Sequence, residues 1–282
     1  MGRTSKNRIA PRKVLSGLIS NLIVWCISLM VLMPMAVVII NSVKTKTEAA
    51  TMTLALPKHF QWSNFATVID KGKLGTSFLN SFMYATLSVI LIVLLVSAAS
   101  FVLSRRRSFS HKFIYYFILL GIAMPINNIV LMKLMKSLHL INTQTGIILL
   151  YAALNIPLSL FLSYGYISTI PREMDEAAVI DGCGAFALFG KIILPLLKPI
   201  MATVFVLNFM SVWNDFTLPL YFLNDSNKWP MTLAVYNFFG MFEKQWNLVS
   251  ADVLLTTLPV MIVFILGQKY IIGGVTAGAV KG

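Results

Sequence analysis

Charge is scarce in this sequence of 282 residues. Only 12% of it is charged, against about 25% in a typical soluble domain. Acid is scarcer still, with 10 Asp and Glu in all. At 57% hydrophobic content, so little polar surface cannot cover a core in water, which excludes an ordinary soluble enzyme. The same apolar content excludes disorder. There are 2 cysteines: Cys26 sits in an apolar run and Cys183 in a polar loop, so no disulfide scaffold is expected. The 3 histidines, His59, His111 and His139, fall in three different loops. With no HExxH or CxxC beside them, a metal centre is excluded, and no Ser/His/Asp set is suggested. The nearest approach to a phosphate loop runs from Gly184 to Gly190-Lys191-Ile192. It has one residue too many between its glycines, and Ile where Ser or Thr should hold Mg²⁺. Any nucleotide is therefore bound by another chain. The net charge of +13 invites a nucleic-acid reading. Its Lys and Arg, however, lie in short loops flanking apolar runs, as in the cytoplasmic loops of membrane proteins.

What is abundant is long uncharged sequence. A transmembrane helix needs about 20 mostly apolar residues. Uncharged stretches cover 14–43, 74–104, 113–132 and 137–171, and two further apolar runs cover 199–223 (interrupted by Asp215) and 251–272. The fold expected is an all-α membrane protein with six transmembrane helices, at 16–40, 78–103, 113–132, 145–168, 199–222 and 251–272. The domain they form is 16–272, between a basic N-terminal piece, 1–15, and a tail, 273–282. Lys and Arg are denser in 1–13, 104–112, 169–198 and 269–282 than in the intervening pieces, and Arg105-Arg106-Arg107 is hard to translocate. Both termini are therefore expected in the cytoplasm. The first apolar run is too long for a signal-peptide core and reads as an uncleaved helix. Pro34, Pro125, Pro157, Pro219 and Pro259 fall within five of the spans and predict bends. Asp215 is the acid placed within a span, thin support for an ion-coupled mechanism.

The loop 169–198 holds the densest pattern. Pro171 suits a first helical turn, and Glu173, Asp175 and Glu176 complement its positive end. Gly182 ends the helix in a left-handed conformation, and a second helical piece leads through Pro195 into the fifth span. The helix presents the small Ala177 and Ala178. Read from physics alone, it is either a docking helix or a surface linker. The run Glu176-Ala177-Ala178, then Asp181-Gly182, then Ile192, Leu194 and Pro195, however, resembles the EAA loop of ABC importer permeases. Asn41-Ser-Val-Lys-Thr, Asn80-Ser81, Met124-Pro125, Leu140-Ile-Asn142-Thr143, Trp213-Asn214-Asp215 and the final Gly-Ala-Val-Lys-Gly282 are similar to the second permease subunit of the maltose-type, carbohydrate-uptake branch.

The resemblance implies the type I ABC importer permease fold, in a bacterial cytoplasmic membrane. It implies a permease subunit of an ATP-driven sugar importer that forms half of the pathway, and not an enzyme. The partners implied are a second, unlike permease, two copies of a cytoplasmic ABC ATPase that hold the ATP-Mg, and an extracytoplasmic sugar-binding protein. No cofactor is expected on this chain. Glu176, Ala177, Ala178, Asp181, Gly182, Ile192, Leu194 and Pro195 would couple it to the ATPase. The alternative class is an ion-coupled carrier or channel acting alone.

Two further sites are expected. The outer loop 223–250 carries Trp229, Phe238, Phe239, Phe242 and Trp246, an aromatic density that fits either binding-protein contact or a membrane-interface belt. A sugar pathway needs amides and aromatic faces, and Tyr151 and Asn155, one helical turn apart, with Trp213, Asn214 and Asp215, supply them. The same residues would equally serve as bonds between neighbouring helices.

Overall fold

The computed structural model describes residues 11–106, 108–239 and 244–279, with side chains described within 19–271. Among the described residues the helices that organise it are α1 (Pro11–Ser42), α2 (Leu74–Arg105), α3 (Phe109–Ala123), α4 (Asn128–Ser137), α5 (Gln144–Ile167), α6 (Glu173–Ile180), α7 (Ala185–Leu196), α8 (Lys198–Asn214), α9 (Thr217–Phe222) and α10 (Trp246–Ala279), with shorter helical pieces between them. The chain divides into two compact units. One comprises the chain up to Val68 with Phe238–Leu254; the other comprises Ile69–Asn237 with the chain from Leu255 onward.

Among the described residues four helices, in α1, α2, α5 and α10, are long and apolar enough to cross a bilayer. The bent pair α7–α8, angled at 69°, makes up to five, and α3 is a shorter apolar helix of 15 residues. Two of the expected spans are broken. Met124 is extended at φ −77°, ψ 126°, because a residue before proline is pushed out of the α region. Asn127 then starts α4, its side chain accepting from the backbone N–H of Ile129 and Val130 at 3.0 and 3.2 Å. Asp215 does the same to the expected fifth span. It is extended, and its carboxylate accepts from Thr217 and Leu218 N–H at 3.1 Å each. A cap of this kind satisfies donors that a helix start leaves free. Pro219 falls in the first turn of α9, where its missing N–H costs nothing. Pro34, Pro157 and Pro259 stay inside continuous helices.

In the first unit the chain leaving α1 closes on itself. Lys44 is 1% exposed. Its ammonium donates to Asn41 Oδ1 at 3.0 Å and to Thr53 O at 2.7 Å, which lets a cation stay buried. Asn64 donates to Ser42 O and Lys44 O and accepts from Asn247 at 3.0 Å. Thr45 and Glu48 form a capping box, and hydrogen bonds, first from the Thr45 backbone, hold the Glu48 carboxyl below its usual range.

The second unit is built on α2, which packs against α5 and α8. Ile92, Val96, Leu160, Ile193, Leu197 and Val204 form its dry centre. Ser88, Ser97, Ser100, Ser159 and Ser163 are buried among them, because small side chains let helix backbones approach without a hydrophobic drive between lipid and protein. Some hydroxyls also bond across helices, Ser88 to Ile148 O at 3.1 Å and Asn208 to Ser159 at 2.9 Å. Such bonds contribute about 0.6 kcal/mol each in membrane helices.

Candidate functional site

The loop 169–198 becomes two helices at an angle set by one glycine. Helix α6 begins at Glu173 with Glu173, Asp175 and Glu176 in its first turn. Pro171 therefore precedes the cap residue Arg172 and lies two places before the first turn. Gly182 has φ +82°, where a side chain is strained. Helix α7 follows and contains a π-helical segment, Leu188–Ile193, a form that recurs at functional places.

The faces of α6 are unlike the expectation. Ala178 is buried in the dry centre, and Ala177 is the alanine left at the surface, beside exposed Glu176, Asp181 and Gly182. Ile192 is half-buried, while Leu194 and Pro195 are exposed. Around them lie apolar side chains that no sequence motif marks: Val179, Ile180 at 85% exposure and Phe186 at 95%. An amphipathic count of the short α6 could not find them, since the apolar set spans two helices and the turn between.

Besides the buried Ala178, Leu188 and Ile193, charge holds this surface. Arg105, at the end of α2, places Nε 2.6 Å from Asp175 Oδ2. That contact is an ion contact without hydrogen-bond alignment, and the hydrogen bond runs from Nη2 to Oδ1 at 3.2 Å. Arg105 Nη1 also donates to Ile170 O, and Arg172 to Ser104 O, both at 3.2 Å. The pair is 13% and 16% exposed, so water screens it weakly.

The expected pathway residues divide. Tyr151, Asn155, Asn214 and Asp215 line one cavity of about 440 Å³, joined by Asn128, Ser211 and Thr217. The Tyr151 hydroxyl donates to Asp215 Oδ2 at 3.0 Å, and Asn155 donates to Tyr151 O at 2.8 Å. Asp215 thus caps α9 and fixes a phenol at one cavity wall. Trp213 does not line this cavity. It is 2% exposed, donates to Thr256 O at 3.2 Å and packs on Phe209 and Phe78. The three added polar residues come from α4, α8 and α9, a convergence that depends on the breaks at Met124 and Asp215.

The segment 222–231 is fastened to the opposite end of α2. Asn80 donates to the carbonyls of Asn227 and Trp229, Tyr84 donates to Lys228 O at 2.9 Å, and Ser81 accepts from Met231 N–H at 2.8 Å. Asn142, at φ +56°, accepts from the N–H groups of Asn224 and Asp225 at 3.1 Å, and its carbonyl accepts from Lys228 Nζ at 2.7 Å. Asn tolerates that backbone region. Gly146 packs so near this turn that a Cβ would lie 2.1 Å from Leu140 O. The described aromatic residues expected in the loop 223–250 turn mostly inward. Trp229 donates its indole N–H to Leu223 O, and Phe238 is 5% exposed. Phe239 meets Trp246 edge-on at 5.6 Å, with Lys244 over the Trp246 ring and an antiparallel bridge from Phe239 to Lys244. Phe242 lies outside the described residues.

Comparison with known proteins agrees with this architecture. Over 96% of its length the chain superposes on 99% of a chain of a bacterial ABC transporter involved in the import of the acidic polysaccharide alginate, with a TM-score of 0.80 at 22% identity. It is 34% identical, over 90% of its length and 93% of the relative's, to the probable starch degradation products transport system permease protein AmyC of Thermoanaerobacterium thermosulfurigenes. It is 32% identical to the diacetylchitobiose uptake system permease protein NgcG of Streptomyces coelicolor (92% and 87% covered). To the melibiose/raffinose/stachyose import permease protein MelC of Bacillus subtilis it is 33% identical (88% and 91% covered). Residues 97–276 match the family described as binding-protein-dependent transport system inner membrane component. The matched span contains both α6–α7 and the cavity, and the chain belongs to that family, as a multi-pass membrane permease subunit and not an enzyme.

Proposed function

We propose that this chain is one of two unlike permeases in an ATP-driven sugar importer of a bacterial cytoplasmic membrane. The observation that carries the reading is the bare apolar set Val179, Ile180 and Phe186, presented on two short helices and held to α2 by the Arg105–Asp175 pair. A membrane protein that leaves such a set outside its spans offers it to another protein. The proposed occupant is a groove on a cytoplasmic ATPase, present in two copies with its ATP-Mg. Glu176, Ala177, Asp181 and Gly182 face it, while Ala178, Ile192, Leu194 and Pro195 carry the movement into α8. Six crossings follow if α3–α4 and α8–α9 each count as a broken span, with both termini cytoplasmic. Sugar as cargo is supported by the names of the relatives, which concern starch products, diacetylchitobiose and raffinose-type sugars. The 440 Å³ cavity is the proposed sugar-facing wall of this subunit. An extracytoplasmic binding protein would deliver the sugar near Phe239 and Trp246; a solved relative of this fold is in complex with a sugar-bound periplasmic protein.

Co-purification after detergent extraction tests the reading. The intact chain is expected to bring down an ATPase and a second permease, and Phe186→Asp to lose the ATPase while keeping the permease. A chain that transports alone in vesicles overturns it. One observation favours that second reading, an ion-coupled carrier: besides Asp215 the expected sixth span holds a second acid, Asp252, which is 1% exposed and whose Oδ1 has no hydrogen-bond partner among the described residues. Asp252→Asn should leave uptake dependent on ATP and unchanged by collapse of the ion gradients; loss of a gradient dependence would favour the carrier.

A further inference from the structure

Beside the Arg105–Asp175 pair lies a second cavity, of about 590 Å³, between the end of α2, the start of α3 and the end of α5. Its cations are Arg105, Arg106, Lys112 and Arg172, against one carboxylate in the lining, Glu173. Arg105 is neutralised by Asp175. Arg106 and Lys112 are exposed, and neither is in an ion pair among the described residues. The pocket therefore keeps an excess of positive charge with donors to spare.

A second feature continues from it. Helix α3 buries no side chain; its Tyr115 stacks on Tyr164 of the cavity wall at 4.0 Å. Starting at the residue after Lys112, an apolar groove of about 320 Å³ runs along α3 between Phe113, Tyr116, Phe117 and Leu120. Those four positions share one helical face. A cationic pocket at the end of membrane helices, with an apolar groove beginning one residue further along one of them, suits the two halves of a lipid: a phosphate and an acyl chain. Basic pockets between membrane helices bind anionic head groups in this way, and Lys112 can lay its stem on the apolar surface with its charge in the pocket.

We propose that this site binds an anionic phospholipid, its phosphate on Arg106, Lys112 and Arg172 and one acyl chain along Phe113–Leu120. A phosphate there sits next to the ion pair that holds α6, so the lipid stiffens the link between α2 and the ATPase-facing surface. The binding itself depends on the chain being a membrane protein and on neither the proposed ATPase nor the proposed sugar.

The test is native mass spectrometry of the full chain in neutral detergent, titrated separately with dioleoyl phosphatidylglycerol and dioleoyl phosphatidylcholine, and with inorganic phosphate as competitor. Phosphatidylglycerol is expected to be retained about tenfold better than phosphatidylcholine. Each of Arg106→Gln and Lys112→Gln, both surface changes, should remove about threefold of that preference, and the two together nearly all of it, and Phe117→Ala should weaken both lipids. Equal retention of the two lipids overturns the proposal, as does a preference that survives Arg106→Gln with Lys112→Gln. Complete displacement by millimolar phosphate with no effect of Phe117→Ala assigns the pocket to a free anion and overturns the lipid. Loss of the bound lipid whenever a second permease co-purifies assigns the groove to that partner and overturns the lipid as well.

Discussion

Helix α2 is tied to its surroundings differently at its two ends, roughly 48 Å apart for a helix of 32 residues. At its start, Asn80, Ser81 and Tyr84 hydrogen-bond to the backbone of residues 227–231, and Asn142 closes the same turn from the other side. Neutral partners at fixed angles hold one arrangement. At its end, Arg105 reaches to Asp175 of α6 and to Ile170 O in the chain before it, Arg172 of that chain reaches back to Ser104 O, and the apolar side chains beyond are bare. Ion contacts tolerate small displacement better than directed hydrogen bonds, and a bare apolar face waits for a partner. One end of the helix is finished within the chain; the other leaves the apolar face proposed above as the docking surface for another protein.

The largest effect that would break this contrast is at Gly182. Gly182→Pro cannot adopt φ +82°, since proline is fixed near −65°. It should abolish uptake while the chain still reaches the membrane, measured by labelled-sugar uptake with an immunoblot of the membrane fraction. Normal uptake would mean that the α6–α7 angle does not matter. Next, Arg105→Ala leaves the partly buried Asp175 unpaired, a change expected to cost about 2 kcal/mol, less than the cost of breaking a fully buried pair. Thermal unfolding in detergent should show it, and Arg105→Ala with Asp175→Ala together should recover part of the loss. If the single and double variants lose equally, the pair adds nothing to the site.

At the opposite end, Asn142→Ala removes the acceptor of two backbone N–H groups and the residue type that tolerates its backbone angle. The loss expected is about 2 kcal/mol, with ATPase co-purification unchanged; a drop in ATPase binding would erase the distinction between the ends. Tyr84→Phe removes one bond to Lys228 O and should cost about 1 kcal/mol. The smallest effect expected is at the cavity. Tyr151→Phe leaves packing intact and removes one of the two donors to Asp215 Oδ2, the other being Leu218 N–H, so a few-fold change in sugar affinity is expected without loss of assembly. If selectivity among sugars is untouched by both Tyr151→Phe and Asn155→Ala, that wall is packing alone.

Much of this protein could be read from local chemistry. Scarce charge and long apolar runs dictate membrane helices, because unpaired charge is costly in hydrocarbon and backbone groups there must bond within the segment. The acidic first turn of α6 and the left-handed Gly182 follow from helix-end electrostatics and from glycine's missing Cβ. Each depends on residues within a few places of one another. The breaks at Met124 and Asp215 are also local, but an apolar count passes over them, because Pro125 and the Asp215 carboxylate act on single dihedrals and not on average hydropathy. Only the tertiary structure decided that Ala178 turns inward while Ile180 and Phe186 stay bare, that Trp213 is packing while Asn128 and Ser211 join Tyr151, and that Arg105 finds Asp175. Those outcomes depend on which helices approach, a matter of packing between residues far apart in the chain, and no local rule carries information over that distance.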